Sequence, residues 1–192
     1  MTRQEKINNL TTDLQENYGL SQDEAKALVM FKGSDCKGLN SKIRGKTLIS
    51  EERIFCGNLK NGLLKIQSTS EKIIYRHLKF IDSQIEKVKN YFQTNAGKKI
   101  RFQEFQSCSL RECFTGDSNH HNWSMKISTN QPTNAKDIFC LWSKHELNDA
   151  EQEVLLLNDT CFEVISVDPD SNIKVFLKEI QSDLQIESVP EF

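Results

Sequence analysis

The order of its secondary-structure signals constrains the fold of this chain more than any other feature. Helical patterns fill the first part of the sequence, and short β-branched and aromatic runs follow from residue 72 onward. Residues 21–33 (SQDEAKALVMFKG) show the helical signal, because Ser21 and Glu24 have the spacing of a capping box and apolar residues follow at helical intervals. Helices followed by a run of strands favour an α+β fold over alternating β–α–β units.

Further helices and strands are predicted from periodicity and from turn residues at their ends. The additional helical segments are residues 38–46, 50–67 and 81–97. The predicted strands are residues 72–80, 98–105, 121–129, 136–143, 151–157, 161–168 and 172–180. A chain of 192 residues is typical of one domain, here with a helical part (1–70), a β-rich core (71–181) and an acidic tail (182–192) that we expect to be flexible.

Composition narrows the class of protein. The net charge of −2 argues against a nucleic-acid binder, which would usually be basic. No apolar run approaches the roughly 18 residues that cross a bilayer, and residues 1–19 contain no apolar core of a secretory signal. We therefore expect a monomer that does not enter the membrane, either cytoplasmic or secreted or injected without a visible signal peptide.

The cysteines and histidines do not show the spacing of a metal site. The six cysteines include no Cys-x-x-Cys pair, so reduced and mostly buried thiols are expected, with disulfides as the alternative. His120, His121 and His145 lie in two loops without the spacing of metal ligands. We expect these histidines to be solvated and the protein to need no metal.

Glu151 and Glu153 are the first candidate functional residues. On a strand that spans residues 151–157, side chains two positions apart project from the same face. Two adjacent carboxylates repel each other, so such a pair needs a nearby cation or hydroxyl, or one member binds a proton more readily. The alternative is a solvated strand edge that carries two charges.

Three segments follow one another in an order that resembles a known enzyme family. Arg76 lies in a predicted strand, a Ser-Cys-Ser segment at 107–109 ends a later strand, and Glu151 and Glu153 precede a hydrophobic strand. This ordered set resembles the arginine–serine–glutamate mono-ADP-ribosyltransferases, the clostridial C2/C3-toxin-like and vertebrate ecto-enzyme superfamily. The resemblance covers residues 20–180 and implies N-terminal helices followed by a β-sandwich-like core of two packed sheets.

Two details bear on this resemblance. A literal Ser-Thr-Ser occurs at residues 68–70, but it precedes Arg76, which is the wrong order for the family. The serine motif is therefore assigned to residues 107–109, where Cys108 replaces the usual threonine. Asn40 and Arg44 are similar to residues of the family's N-terminal helices.

The resemblance implies a role for each catalytic residue. Arg76 binds the pyrophosphate or the adenosine ribose of NAD, and Ser107 hydrogen-bonds the catalytic carboxylate. Glu153 bonds the nicotinamide ribose and stabilises an oxocarbenium-like transition state. Glu151 orients and deprotonates the acceptor, and a glutamate at this position accompanies arginine targets in the family.

Two loops are implied to contact NAD and the target. In the phosphate–nicotinamide loop, residues 110–122, Arg111 meets phosphate and Phe114 stacks on nicotinamide, with a core aromatic as the alternative for Phe114. His77, next to Arg76, is a further candidate contact to NAD. Residues 142–150 form the target-recognition loop, in which Trp142 either faces the protein substrate or belongs to the core.

The function implied by the resemblance is transfer of ADP-ribose from NAD to an arginine of a target protein, with release of nicotinamide. NAD is then a substrate, and the partner is a protein with an accessible arginine. One alternative is an NAD glycohydrolase, in which water replaces the acceptor at the same site. Another is a catalytically silent binding module of the same fold, which the joint presence of Arg76, Ser107, Glu151 and Glu153 argues against.

Overall fold

The computed structural model describes residues 1–32, 36–112, 122–147, 152–190 and 192. The helices in these ranges are α1 (Arg3–Tyr18), α2 (Gln22–Met30), α3 (Cys36–Arg44), α4 (Ser50–Lys65), α5 (Asp82–Thr94) and α6 (Ile138–Lys144). The strands are β1 (Ile73–Leu78), β2 (Lys99–Phe102), β3 (Gln106–Ser109), β4 (Trp123–Ser128), β5 (Ala135–Asp137), β6 (Glu153–Leu156), β7 (Thr160–Val167) and β8 (Val175–Ile180).

Local sequence signals define the ends of the first two helices. Thr2 caps α1 and Ser21 caps α2, and each hydroxyl accepts a bond from the backbone N–H three residues later. The glutamates at those positions, Glu5 and Glu24, bond back to the cap, which confirms the capping box predicted for α2. Helix α1 stops at Gly19, whose φ of 66° lies in the left-handed region that glycine adopts without strain.

The strands form one hydrogen-bonded sheet of mixed direction in the order β2-β7-β8-β4-β1-β3-β6-β5. Only β4 and β8 are paired in parallel among the described strands. Helices α1 to α4 precede the first strand, and α5 and α6 are inserted among the strands, which confirms the predicted α+β class. The two halves of this sheet meet where β1 pairs with β3 through Tyr75 and Ser109.

Both halves of the sheet contribute side chains to one buried core, so that the packing is sandwich-like although the hydrogen bonding is continuous. Ile74, Phe162 and Leu177 come from one half, and Cys108 and Val154 come from the other. A second core lies between the sheet and the N-terminal helices and includes residues of α1, α2, α4 and α6. The two packed sheets that were expected are therefore two parts of one continuous hydrogen-bonded sheet.

The strand predicted at residues 136–143 is wrong. Only β5 at its start is extended, and α6 follows directly. Asp137 caps this helix by accepting a hydrogen bond from the backbone N–H of Cys140 at 3.0 Å. Helix α6 buries Ile138, Leu141 and Trp142, a stripe with helical spacing that its short apolar run did not distinguish from a strand.

The strand predicted at residues 98–105 ends early as β2, and the Ser-Cys-Ser segment that was expected to follow its end lies in a second strand, β3. Strand β2 pairs with β7, whereas β3 pairs with β6 and β1 on the other half of the sheet. Phe102, the last residue of β2, enters the core of the sheet, whereas Phe105, just before β3, enters the core beneath the N-terminal helices. The chain therefore changes its position in the sheet at residues 103–105.

The C-terminal tail, which we expected to be flexible, is docked along β2. The backbone N–H of Arg101 donates to the carbonyl of Glu187, and the N–H of Val189 donates to the carbonyl of Arg101. Val189 is buried. Strand β2 lies at the edge of the sheet, and the tail satisfies backbone groups that an edge would otherwise leave open.

Four of the six cysteines can be assigned as free thiols in the described part of the chain. Cys56, Cys108, Cys140 and Cys161 are free thiols, and Cys108 and Cys161 are buried while Cys140 is exposed. No helix within the described ranges is both long enough and apolar enough to cross a membrane.

Candidate active site

Three adjacent strands bring the predicted catalytic residues together. Strands β1, β3 and β6 are neighbours in the sheet and carry Arg76, Ser107 and Glu153 respectively. In the register of β3 and β6, Ser109 lies opposite Glu153, so that Ser107 is its diagonal neighbour on the same face. The hydroxyl of Ser107 donates to Oε1 of Glu153 at 2.5 Å. The structure thus shows the contact that the resemblance implied for the serine.

The Glu153 carboxylate is buried and held on both of its oxygens. Its side chain is 8% exposed, and Lys32 forms an ion pair with Oε2 while Ser107 holds Oε1. Burial of an ionised carboxylate is costly unless it is paired and hydrogen-bonded, and these two groups supply those interactions. Lys32 lies two residues beyond the end of α2, and no local motif marks it in the sequence.

Arg76 lies against the neighbouring strand β3. One of its terminal nitrogens, Nη1, donates to the backbone carbonyl of Ser107 at 2.9 Å. Burial raises the pKa of the adjacent Cys108 thiol to about 12, although the positive charge of Arg76 acts in the opposite direction. The thiol at the position of the usual threonine is therefore neutral, and it is not a nucleophile at physiological pH.

Helix α3 is anchored to the turn that precedes β3. Asn40 donates through its amide to the carbonyl of Phe105 at 2.8 Å. Arg44 forms an ion pair with the buried carboxylate of Glu104 at 3.0 Å. The two residues that are similar to the family's helical residues therefore place α3 beside the strand that carries Ser107.

His77 lies on the other face of β1 from Arg76 and connects both ends of the 110–122 segment. Its Nδ1 lies 2.9 Å from the hydroxyl of Ser124, and its Nε2 lies 3.1 Å from the carbonyl oxygen of Arg111. A carbonyl oxygen only accepts hydrogen bonds, so Nε2 carries a proton. Because both ring nitrogens make bonds within the protein, His77 could contact NAD through a nitrogen only by giving up one of them.

The remaining predicted site residues have different outcomes. Glu151, Phe114, His120 and His121 lie outside the described residues. The Arg111 side chain is exposed at the start of the predicted phosphate–nicotinamide loop.

Two expectations for the predicted target-recognition loop are wrong: Trp142 lies in α6, and His145, which was expected to be solvated, is half-buried and paired with Asp13. Trp142 is 6% exposed and packs in the core with the N-terminal helices, which leaves it little surface for a protein target and favours the core alternative. Nε2 of His145 lies 2.8 Å from the carboxylate of Asp13. Among the described residues, no three histidine, cysteine or acidic side chains cluster as metal ligands would.

The fold and this site define a class of enzyme, and comparison with known proteins identifies the family. A buried carboxylate held by a serine of the adjacent strand, next to an arginine on the following strand of the sheet, is the arrangement that the ordered motifs imply for an ADP-ribosyltransferase. The family model described as ADP-ribosyltransferase exoenzyme matches residues 3–186. The chain belongs to this family, whose reaction takes NAD as a substrate and needs no metal.

Solved structures show the same fold at low sequence identity. The enzymatic component C2-I of the C2 toxin from Clostridium botulinum is 20% identical with a TM-score of 0.61, over 88% of this chain and 46% of its own. The C3 exoenzyme of Clostridium limosum is 16% identical with a TM-score of 0.64, over 94% of this chain and 96% of its own.

A third structure comes from another genus, and the curated sequences add no relative. The ADP-ribosyltransferase Vis from Vibrio splendidus, in complex with agmatine, is 15% identical with a TM-score of 0.60, over 99% of this chain and 92% of its own. The present chain thus spans less than half of C2-I but most of the other two. No curated protein sequence matches this chain.

Proposed function

We propose that this protein transfers ADP-ribose from NAD to an arginine side chain of a target protein and releases nicotinamide. The observation that carries the proposal is the buried Glu153 carboxylate, which Ser107 holds at 2.5 Å beside Arg76. Membership in the ADP-ribosyltransferase exoenzyme family supports the use of NAD as donor.

The proposed reaction breaks the bond between the ribose anomeric carbon and the nicotinamide nitrogen. The bonding electron pair leaves with nicotinamide, which becomes neutral, and the ribose develops oxocarbenium character. Glu153 stabilises this positive charge from a buried position, where a carboxylate exerts a stronger field than in water. Ser107 keeps the carboxylate in place during the reaction.

Arg76 is proposed to bind the pyrophosphate of NAD or its adenosine ribose. A guanidinium is a rigid, planar fork of five N–H donors that suits phosphate oxygens. The bond from Nη1 to the Ser107 carbonyl fixes the side chain next to the catalytic strand. Asn40 and Arg44, which place α3 against the same strand, are proposed to support this part of the site.

Arginine as acceptor rests on Glu151 and on one structural neighbour. A guanidinium stays protonated in water, so it needs a base to become a nucleophile, and Glu151 is proposed as that base. The neighbour Vis was solved with agmatine, a small molecule whose reactive end is a guanidinium. The designation of the family as exoenzymes supports a secreted or injected effector.

The test uses agmatine as a minimal acceptor. Purified protein is incubated with NAD and a metal chelator, with and without agmatine, and both nicotinamide and ADP-ribosyl-agmatine are measured. We expect nicotinamide release in both reactions and ADP-ribosyl-agmatine only in the second. Nicotinamide release without any transfer to agmatine, or to labelled bands in a cell lysate, would favour the glycohydrolase. Absence of NAD turnover would favour the silent binding module.

A further inference from the structure

Lys32 pairs with the Glu153 carboxylate oxygen that Ser107 does not contact. Ser107 holds Oε1 of Glu153, and the ammonium of Lys32 is paired with Oε2. In the proposed reaction Glu153 must bond a ribose hydroxyl and face the cationic nicotinamide ring. Lys32 therefore stands where the substrate needs to interact.

The backbone next to Lys32 is fixed by packing in the core. The preceding residue, Phe31, is 2% exposed, and its ring packs edge-on against Phe105 with 5.6 Å between centroids. Phe105 directly precedes β3, the strand that carries Ser107. The end of α2 is thus attached to the catalytic strand, and the lysine side chain, 21% exposed, reaches the carboxylate from there.

Charge makes the Lys32 contact incompatible with the bound substrate. The oxidised nicotinamide ring carries a positive charge, and so does the developing ribose cation. An ammonium paired with the carboxylate cancels much of its field and repels both positive groups. The catalytic carboxylate therefore has two alternative cationic partners, the lysine and the substrate.

We propose that Lys32 is a displaceable partner of Glu153. In the NAD-free protein its ammonium keeps the buried carboxylate ionised and oriented, and on NAD binding it leaves Oε2 to the ribose and the nicotinamide cation. Lys32 is a positioning residue that acts through Glu153 and sets how strongly the site discriminates oxidised from reduced nicotinamide. This inference rests on the proposed function, because it takes Glu153 as the residue that faces the nicotinamide ribose.

The experiment compares NAD with NADH, which has the same ribose and pyrophosphate but a neutral ring. Dissociation constants of both are measured at about pH 8, where an ordinary carboxyl group is ionised. The variants are Lys32→Met, which removes the charge, and Lys32→Arg, which keeps it. Lys26→Met is the matched control, because Lys26 is an exposed lysine of α2, the helix that precedes Lys32.

In Lys32→Met we expect NAD to bind more tightly relative to NADH by about fivefold or more, since one of two competing cations is gone. Lys32→Arg and Lys26→Met should keep the wild-type ratio. An unchanged ratio in Lys32→Met, or equal weakening of both ligands, would overturn the proposal, because Lys32 would then stay on the carboxylate or bind phosphate. Lys32→Gln carries the same expectation if thermal unfolding shows that Lys32→Met does not fold.

The wild-type measurements separate this proposal from the proposed function. If the wild-type protein binds NAD and releases nicotinamide, only the ratio in the variants decides the role of Lys32. If the wild-type protein neither binds NAD nor turns it over, the proposed function fails, and the inference about Lys32 fails with it.

Discussion

Replacement of Ser107 by alanine removes the hydroxyl that holds the Glu153 carboxylate, the proposed catalytic group, and changes little else. The distance of 2.5 Å between Ser107 Oγ and Glu153 Oε1 lies in the range of hydrogen bonds from a hydroxyl to an ionised oxygen. The side chain is small, and the strand pairing of Ser107 with Leu155 uses backbone atoms. The substitution therefore tests one hydrogen bond in an otherwise intact sheet.

The expected loss follows from the strength of that bond. A hydrogen bond to a charged group is worth about 1.5–3 kcal/mol, which corresponds to a decrease of about 10- to 150-fold in kcat/KM. Activity should not disappear, because Lys32 still orders the other carboxylate oxygen before NAD binds. The circular dichroism spectrum should remain that of the wild type.

The assay is nicotinamide release at subsaturating NAD, with Ser70→Ala as the control. Ser70 belongs to the Ser-Thr-Ser segment at 68–70 and is exposed before β1, so its replacement should leave kcat/KM within about twofold of wild type, as expected for surface changes. Wild-type activity in Ser107→Ala, or a loss in Ser70→Ala that exceeds it, would refute the assignment of the serine. If Ser107→Ala lost as much activity as Glu153→Gln, the estimate of one hydrogen bond for the contribution of Ser107 would be wrong.

Three further predictions concern other parts of the molecule. Glu153→Gln should eliminate both transfer and NAD hydrolysis. Glu151→Gln should lose transfer to agmatine and keep nicotinamide release, because only the acceptor needs that base. If both variants kept full activity, the two glutamates would be no more than charges on a solvated strand edge. His77→Phe removes two hydrogen bonds that connect the ends of the 110–122 segment, so the KM for NAD should rise about three- to tenfold with little change in kcat, and a change in kcat alone would contradict this role. Burial raises the pKa of Asp13, but the hydrogen bonds from Lys144, His145 and Asn17 outweigh burial and lower this pKa from 3.8 to about 2. The stability that ionised Asp13 contributes is present above pH 3.8 and is lost as the pH falls toward 2. The midpoint of acid unfolding should therefore move to higher pH in Asp13→Asn. An unchanged midpoint would contradict this contribution of Asp13.

Much of the site was predictable because its signals are local. The capping box of Ser21 and Glu24 needs only three residues of separation, and the structure confirms it. Ser107 and Glu153 stand out because each occupies a defined place at a strand end, in an order that resembles the family. The roles of these two residues in catalysis remain predictions, although the structure brings their side chains into contact.

Other features depended on competition between local signals and packing. The run from residue 136 to 143 has apolar and aromatic residues that suit a strand as well as a buried helix. The cap at Asp137 and burial of one helical face against the N-terminal core decided for α6. Likewise, residues 98–105 were predicted as one strand, but Phe102 and Phe105 belong to two different cores, so β2 ends at Phe102 and β3 begins after Phe105.

The sequence by itself determined the α+β class, the capping box of α2 and the candidate residues Arg76, Ser107 and Glu153. Only the tertiary structure decided what surrounds them. Lys32 contacts Glu153 from the segment that follows α2, far away in the chain, and Asn40 of α3 likewise reaches the carbonyl of Phe105. His77 faces the ends of a loop instead of the carboxylate because alternate residues of a strand point to opposite faces. Periodicity and capping act over a few neighbouring residues, whereas the partners of a buried charge are chosen by the packing of helices on the sheet.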